Sequence, residues 1–279
     1  MIIAVLIVLG LCFGSFVNAL VWRLHQQSLP AKKRAAKLAE LSISTGRSMC
    51  PNCKHTLGAL DLLPLVSWLA LKGRCRYCQH SIGVQYPLIE ALTAVIFVLS
   101  YVFWPFELDA SGIFQLICWL IAVIGLMALL VYDLRWMLLP NKIVFPLIAL
   151  GAVKVLVVAL LFDGGIDSLA KAVLSVAIAG GIFYVLFQIS KGQWIGGGDV
   201  KLGYALGLFL AKPELAMLML FAASVLGLMV AVPGLVTKKL AMTSRLPFGP
   251  MLIIATMAVM LFGQNLIDAY LRLMTLMVY

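Results

Sequence analysis

Two carboxylates stand where a membrane-embedded chain rarely keeps them. Asp199 follows three glycines in Ile195-Gly196-Gly197-Gly198-Asp199-Val200-Lys201 and opens an apolar segment. Asp133 ends another, in Val131-Tyr132-Asp133-Leu134-Arg135-Trp136-Met137-Leu138-Leu139-Pro140. An ionisable group inside or at the edge of a bilayer costs roughly 2.5–3.5 kcal/mol on insertion scales, so a chain tolerates it where it faces protein or water, usually for function. Two acids brought together would share one proton, as a general acid–base carboxylate pair requires. Gly196, Gly197 and Gly198 would let an extended substrate backbone approach Asp199. The run has no Lys-Ser/Thr pair to make it a phosphate loop. The bland alternative is that each Asp caps a helix and pairs with Arg135 or Lys201. No convincing Ser/His/Asp set competes, because His25, His55 and His80 all fall in one connector.

The elements that must position these acids follow from composition. The chain has 279 residues, of which 63% are hydrophobic and 11% charged, and its mean hydropathy is +1.08. No soluble globular domain has this composition. The short-period alternation of a transmembrane barrel is absent, so the class is an all-α polytopic membrane protein. Apolar runs of spanning length fall near 2–22, 87–104, 113–132, 143–162, 169–189, 215–236 and 247–263, with a shorter eighth near 199–211. The start is apolar from Met1 with no basic n-region, which reads as a retained first span. The role of the tail 264–279 is left open by its sequence, an interfacial helix being one option.

Charge sets the orientation. The net charge is +10, but it is confined to particular loops and points to no nucleic acid. Connector 23–86 carries ten Lys or Arg, 133–142 adds Arg135 and Lys142, the glycine loop adds Lys191 and Lys201, and 237–246 adds Lys238, Lys239 and Arg245. Eight spans and the positive-inside rule place all four on the cytoplasmic side and both termini outside. Asp133 ends the third span and Asp199 opens the sixth, so both lie at the cytoplasmic end.

Connector 23–86 contains an internal repeat. Cys50-Pro51-Asn52-Cys53-Lys54-His55-Thr56-Leu57-Gly58 matches Cys75-Arg76-Tyr77-Cys78-Gln79-His80-Ser81-Ile82-Gly83. Two C-x-x-C knuckles at this separation have the spacing of a structural zinc site. Two disulfides are the runner-up, which a cytoplasmic location disfavours. Cys12 and Cys118 lie in spans and read as core residues. Asn18, polar within the first span, should bond to a neighbouring helix. Pro87 suits a first helical turn, and Glu90 either serves that helix N-terminus or faces a polar pocket beneath the zinc loop. Pro247-Phe248-Gly249-Pro250 is either a rim of the cytoplasmic-side site or an ordinary helix start.

Taken in order, these motifs resemble the bifunctional prepilin peptidases of bacterial type IV pilus and type II secretion systems. The resemblance runs through Gly14-Ser15-Phe16-Val17-Asn18, the paired knuckles, Tyr86-Pro87-Leu88-Ile89-Glu90, Asp133-Leu134-Arg135 with Leu138-Leu139-Pro140, Gly196-Gly197-Gly198-Asp199-Val200-Lys201-Leu202, and Pro247-Phe248-Gly249-Pro250. It departs at Val21-Trp22-Arg23-Leu24-His25, at Asn141, where an acid often follows the Leu-Leu-Pro, and at Gly197. It implies an intramembrane aspartyl peptidase of the GxGD type with Asp133 and Asp199 catalytic, in the bacterial inner membrane with both termini periplasmic. It also implies cleavage of the short basic leaders of prepilins and pseudopilins at the cytoplasmic face. N-methylation by S-adenosylmethionine follows from the same resemblance, with Glu90, Asn18 and Arg23 as candidates for its pocket. The domain organisation expected is a first helix 1–22, a zinc-binding domain 23–86 with Cys50, Cys53, Cys75 and Cys78 as ligands, and a peptidase domain 87–279. An ion-coupled transporter and a zinc-anchored secretion scaffold are the competing classes.

Overall fold

The computed structural model describes residues 1–279 except 35, 44, 163, 238–245 and 279. The basic residues Lys238, Lys239 and Arg245 therefore lie outside the described residues. Among the described residues the fold is helical, and extended pairing is limited to two isolated bridges. The helices are α1 (Ile2–Ser28), α2 (Val66–Ala70), α3 (Gln85–Val102), α4 (Ala110–Trp136), α5 (Asn141–Leu161), α6 (Gly165–Val176), α7 (Ile182–Ser190), α8 (Gly197–Leu210), α9 (Pro213–Val236) and α10 (Gly249–Val278). A π turn over Ala177–Gly181 joins α6 to α7 within one span.

Among the described residues, seven helices are long and apolar enough to cross a membrane. The eighth apolar run folds as α8, whose 14 residues rise about 21 Å, less than the ~30 Å of a hydrocarbon core. The tail is no separate interfacial helix, because α10 continues unbroken from Gly249 to Val278.

The chain divides into two compact units. The first is Met1–Val102 with Val123–Val131, and the second is Phe103–Ala122 with Tyr132–Tyr279. In the first, α1 and α3 meet through small residues: a Cβ on Gly14 would fall 2.6 Å from Glu90 Cα, and one on Gly10 2.5 Å from Ala94 Cα. This is the close backbone approach that drives helix association in lipid. Asn18 reinforces it, its side-chain amide donating to Tyr86 O at 3.1 Å. Pro87 sits in the first turn of α3, where its missing N–H is harmless. Cys12 is exposed on α1, so it is not the core residue expected. It looks outward because α1 buries the opposite face, with Gly10, Gly14 and Val17.

In the second unit α8 is the central element, packed against α5, α6, α7, α9, α10 and the π turn. It buries Val200, Leu202, Leu206 and Phe209 almost completely. Gly203 lies against the carbonyl of Ala179 in the π turn, and a Cβ on Gly207 would fall 2.7 Å from Val176 Cα. A helix ending inside apolar surroundings leaves its last carbonyls without partners. Here Ser175 Oγ donates to Gly207 O at 2.9 Å and Lys154 Nζ to Phe209 O at 2.8 Å. Ala211, at φ 52°, ends the helix, and Pro213 opens α9.

Candidate active site

Asp133 lies in the last turn of α4 and is buried. The helix stops three residues later, where Met137 turns left-handed (φ 51°) and its N–H returns to Asp133 O at 2.8 Å. Residues 138–140 then run into α5. Asp199 is the third residue of α8 and half-buried. It shares a reciprocal cap with Gly196, as its N–H donates to Gly196 O at 3.1 Å and Gly196 N–H donates to its carboxylate.

Gly249, the first residue of α10, brings the two acids to one place. Its N–H donates to the Asp133 carboxylate. A Cβ built on it would fall 2.5 Å from Asp133 Oδ2 and 3.7 Å from Asp199 Oδ1. Both carboxylates therefore come up to the same glycine, and any side chain at 249 would strike Asp133. Phe248 fixes the glycine's approach by packing edge-on against Phe183 at 6.0 Å. The Pro247–Pro250 segment thus forms part of the site as well as starting a helix.

The bland reading of the acids fails on partners. Among the described residues no ion pair joins Asp133 or Asp199 to a basic side chain. Lys201 instead donates to Asn141 Oδ1 at 3.0 Å and lies over the Phe145 ring, while Arg135 lies over Trp136. Asn141 thus ties the start of α5 to α8. The glycines do more packing than the sequence suggested. Gly198 faces Leu139, where a Cβ would lie 3.2 Å from Leu139 Cβ. Gly196 is the N-cap, with ordinary extended backbone.

The first unit holds a second constellation. The sulfurs of Cys50, Cys53, Cys75 and Cys78 all lie within 4.8 Å of one another, and Cys50 and Cys78 are 3.9 Å apart. A disulfide needs about 2.05 Å, whereas two thiolates on one tetrahedral ion, each about 2.3 Å from it, sit close to the observed separation. The four cysteines can hold a metal. The sequence repeat is also a structural repeat. Cys50 and Cys75 N–H donate to His55 and His80 O at 3.0 and 2.9 Å, and Lys54 and Gln79 take the same left-handed backbone, at φ 60° and 54°. Burial pushes the Cys50 thiol up to about 12. The His80 N–H, aided by the Asn52 amide, holds Cys78 down to about 6. Cys78 thus forms a thiolate more readily than Cys50. His55 stacks on Tyr77 at 3.7 Å and neither histidine joins the metal-capable group. Asp61 braces the second knuckle. It accepts from Arg76 at 2.7 Å and from Tyr77 Oη at 3.2 Å, and the guanidinium holds its carboxyl below the usual carboxylate range.

Beside this cluster lies a cavity of about 440 Å³, bordered by Cys50, Cys75, Asn18, Arg23, Glu90 and Trp68. Glu90 is buried. It accepts the Leu65 N–H at 2.8 Å and a bond from Ser15. Asn18 is 5% exposed, and its Oδ1 is a buried acceptor with no partner. Arg23 borders the cavity and is tied down on one side. Its guanidinium donates to the carbonyls of Ser42, Ile43 and Gly46 at 2.9–3.2 Å and holds that loop.

Sequence reasoning missed Lys154 and Asp61. The signal for Lys154 was present, since a lone lysine in the run 143–162 is as conspicuous in lipid as the two acids. Asp61 gave no signal, because its partners Arg76 and Tyr77 are distant in sequence.

Two family models match this chain. Residues 8–104 match the bacterial peptidase A24 N-terminal domain, and residues 120–232 match the type IV leader peptidase family. A type 4 prepilin-like proteins leader peptide-processing enzyme of Escherichia coli O78:H11 is 35% identical, with 87% of each chain covered. Prepilin leader peptidase/N-methyltransferases of Stutzerimonas stutzeri and Pseudomonas aeruginosa are 31% and 32% identical, each over 95% of this chain and 92% of the relative. No solved structure matches. Relatives this similar across nearly the full length, together with both family models, place the chain in the type IV leader peptidase family.

Proposed function

We propose that this protein is an intramembrane aspartyl endopeptidase. It removes the short basic leader of type IV prepilins and pseudopilins at the cytoplasmic face of the bacterial inner membrane, and then N-methylates the new N-terminal residue. The observation that carries the reading is the pair Asp133 and Asp199 meeting at Gly249, with no basic partner among the described residues.

In this mechanism the carboxylates share one proton, because two adjacent anions are costly. The ionised member takes a proton from water, and the water attacks the scissile carbonyl. The protonated member donates to the carbonyl oxygen. On collapse, the carboxyl that took the water proton gives it to the amide nitrogen, and the other carboxylate takes a gem-diol proton. The C–N bond breaks to leave a carboxyl terminus on the leader and a free amine on the mature chain, so no acyl-enzyme forms. Gly249 keeps side-chain bulk away from the acid pair, and Gly196, Gly197 and Gly198 line the approach of the substrate backbone to Asp199. The basic residues Arg135, Lys142 and Lys191, in the connectors next to the two acids, support a cytoplasmic site. α8 is too short to span lipid by its own length, but buried among its neighbours it completes an eighth crossing together with its flanking loops, and eight passes put both termini on the periplasmic side.

Zinc is the ion that suits four thiolates at tetrahedral spacing. A closed shell makes it structural, so that it organises the connector without supplying a reactive water. The division of labour follows: residues 23–86 with the adjoining turns of α1 and α3 serve methylation, and 87–279 carry the peptidase. The cavity fits S-adenosylmethionine in size, since ligand pockets run about 300–1,000 Å³. It fits also in chemistry, through the Glu90 carboxylate, the unpaired Asn18 Oδ1 and the Trp68 ring. When bound, the donor supplies an electrophilic methyl group on a sulfonium. Glu90 and Asn18 would hold its cationic and hydrogen-bond-donating parts, and Arg23, which borders the cavity, anchors the carbonyls of Ser42, Ile43 and Gly46.

The test is incubation of purified protein with a leader-bearing precursor, with and without S-adenosylmethionine, followed by mass spectrometry of the product N-terminus. Loss of the leader, and a further gain of one methyl mass only with the donor, is the expected outcome. An intact precursor after incubation with several substrates would overturn the reading in favour of a carrier or scaffold.

A further inference from the structure

The stretch between the knuckles is unusual for a polar connector. Ala59-Leu60-Asp61-Leu62-Leu63-Pro64-Leu65-Val66-Ser67-Trp68-Leu69-Ala70-Leu71 has only Asp61 and Ser67 among apolar residues. It has two sides. Leu62, Ser67, Trp68 and Leu71 turn to the cavity. Leu60, Val66 and Leu69 turn outward and are 70%, 60% and 67% exposed, with Leu63 at 46%. An outward apolar surface of this kind marks a contact with something outside the fold.

We propose that this segment is an arm seated on the phospholipid bilayer, with Leu60, Leu63, Val66 and Leu69 in the headgroup–acyl boundary. Its depth is fixed by a bond to a spanning helix. Leu65 N–H donates to Glu90 Oε2 at 2.8 Å, and Glu90 is five residues beyond Gln85, the start of α3. That places the bond about 7.5 Å down the helix from its first residue. The 18 residues of α3 are only about 27 Å long, so the whole helix is used to cross. Apolar faces of interfacial helices lie about 5–10 Å into the boundary, the depth at which this bond holds the arm. The outward residues of α3 itself, Leu88 and Val95, are 52% and 51% exposed and face lipid at neighbouring depths.

Three further features fit. Leu65 adopts φ 58° and ψ −48°, a conformation that costs a non-glycine residue energy and persists only where its surroundings impose it. The imposing contact is the bond to Glu90. Asp61 bonds to Gly58, Arg76 and Tyr77, which clamps the arm's other end to the second knuckle. Lys72 and Arg74, both exposed, follow the apolar stretch where lipid phosphates would lie. The apolar helix of a precursor is the other partner such a surface could take. The bilayer is favoured because the bond to α3 sets the arm at membrane depth with no precursor present.

The test uses the full chain in nanodiscs of phosphatidylethanolamine and phosphatidylglycerol. The photo-crosslinker p-benzoylphenylalanine replaces Leu60, Val66 or Leu69 singly, with Val95 as the lipid-facing control and Lys54 as the exposed control. None of the three arm positions lines the cavity or the acid pair, so retained precursor cleavage and bound zinc certify each variant's fold. Lipid adducts at 60, 66 and 69, as at 95, with loss of adduct at 54, are expected. Adducts at 95 alone would overturn the proposal. So would adducts to an added precursor at the arm positions with none to lipid.

Discussion

Replacing Gly249 by alanine tests the geometry of the acid pair with a single methyl group. The added Cβ would fall 2.5 Å from Asp133 Oδ2 and 3.3 Å from its carboxyl carbon. Ordinary contact begins near 3.4 Å, so either the carboxylate or the start of α10 must shift by roughly 1 Å, and displacements of that size at a reacting centre cost about 10²-fold in rate. Gly249 is not among the residues of positive φ, so alanine is no backbone strain there. The cost to stability is that of modest overpacking, about 1–3 kcal/mol. The informative comparison is Gly227→Ala in the same unit, where the new Cβ would meet Phe248 at an ordinary 3.6 Å. Turnover of a leader-bearing precursor should fall about 10²-fold in Gly249→Ala and stay near the parent level in Gly227→Ala, with KM little changed in both. Thermal unfolding in detergent would confirm that both variants are folded. If Gly249→Ala keeps half or more of the parent's turnover, the two carboxylates do not work across this glycine.

Three other outcomes follow from the same coordinates. Glu90→Gln should lower methylation by about 10-fold or more, the worth of one hydrogen bond to a charged group, while cleavage persists; equal loss of both activities would contradict separate sites. Chelation of the metal, or Cys75→Ser, should abolish methylation and increase proteolysis between residues 23 and 86, because structural zinc contributes most of such a module's folding free energy, about 10–16 kcal/mol. Lys154→Met leaves the buried Phe209 carbonyl without its donor, so stability should drop by about 1–3 kcal/mol. Turnover should drop with it through the displaced end of α8, which denaturation and single-turnover cleavage would read together.

Much of this was legible in the residues because lipid makes polar groups conspicuous. Asp133, Asp199 and Asn18 each stood out in an apolar run, and each has a polar contact in the structure. The repeat of Cys-x-x-Cys-x-His likewise fixed four sulfurs that meet. What stayed hidden depends on contacts remote in sequence. That Gly249, rather than the 196–198 run alone, separates the acids needed the three-dimensional meeting of α4, α8 and α10. Arg23 borders the cavity as the sequence suggested, but its bonds to the carbonyls of Ser42, Ile43 and Gly46 have no local pattern that announces them. The shortness of α8 was legible, since its apolar run near 199–211 nearly matches the helix Gly197–Leu210; hidden was the lysine of α5 that makes so early an end tolerable.

The most direct measurement of the central claim is precursor cleavage by Asp133→Asn, Asp199→Asn and the double variant, each in nanodiscs and each shown to be folded. If the two carboxylates act as one unit, each single change removes cleavage to background and the double change removes nothing more. A folded single variant that still cleaves the precursor would show that its carboxylate is not part of the catalytic pair.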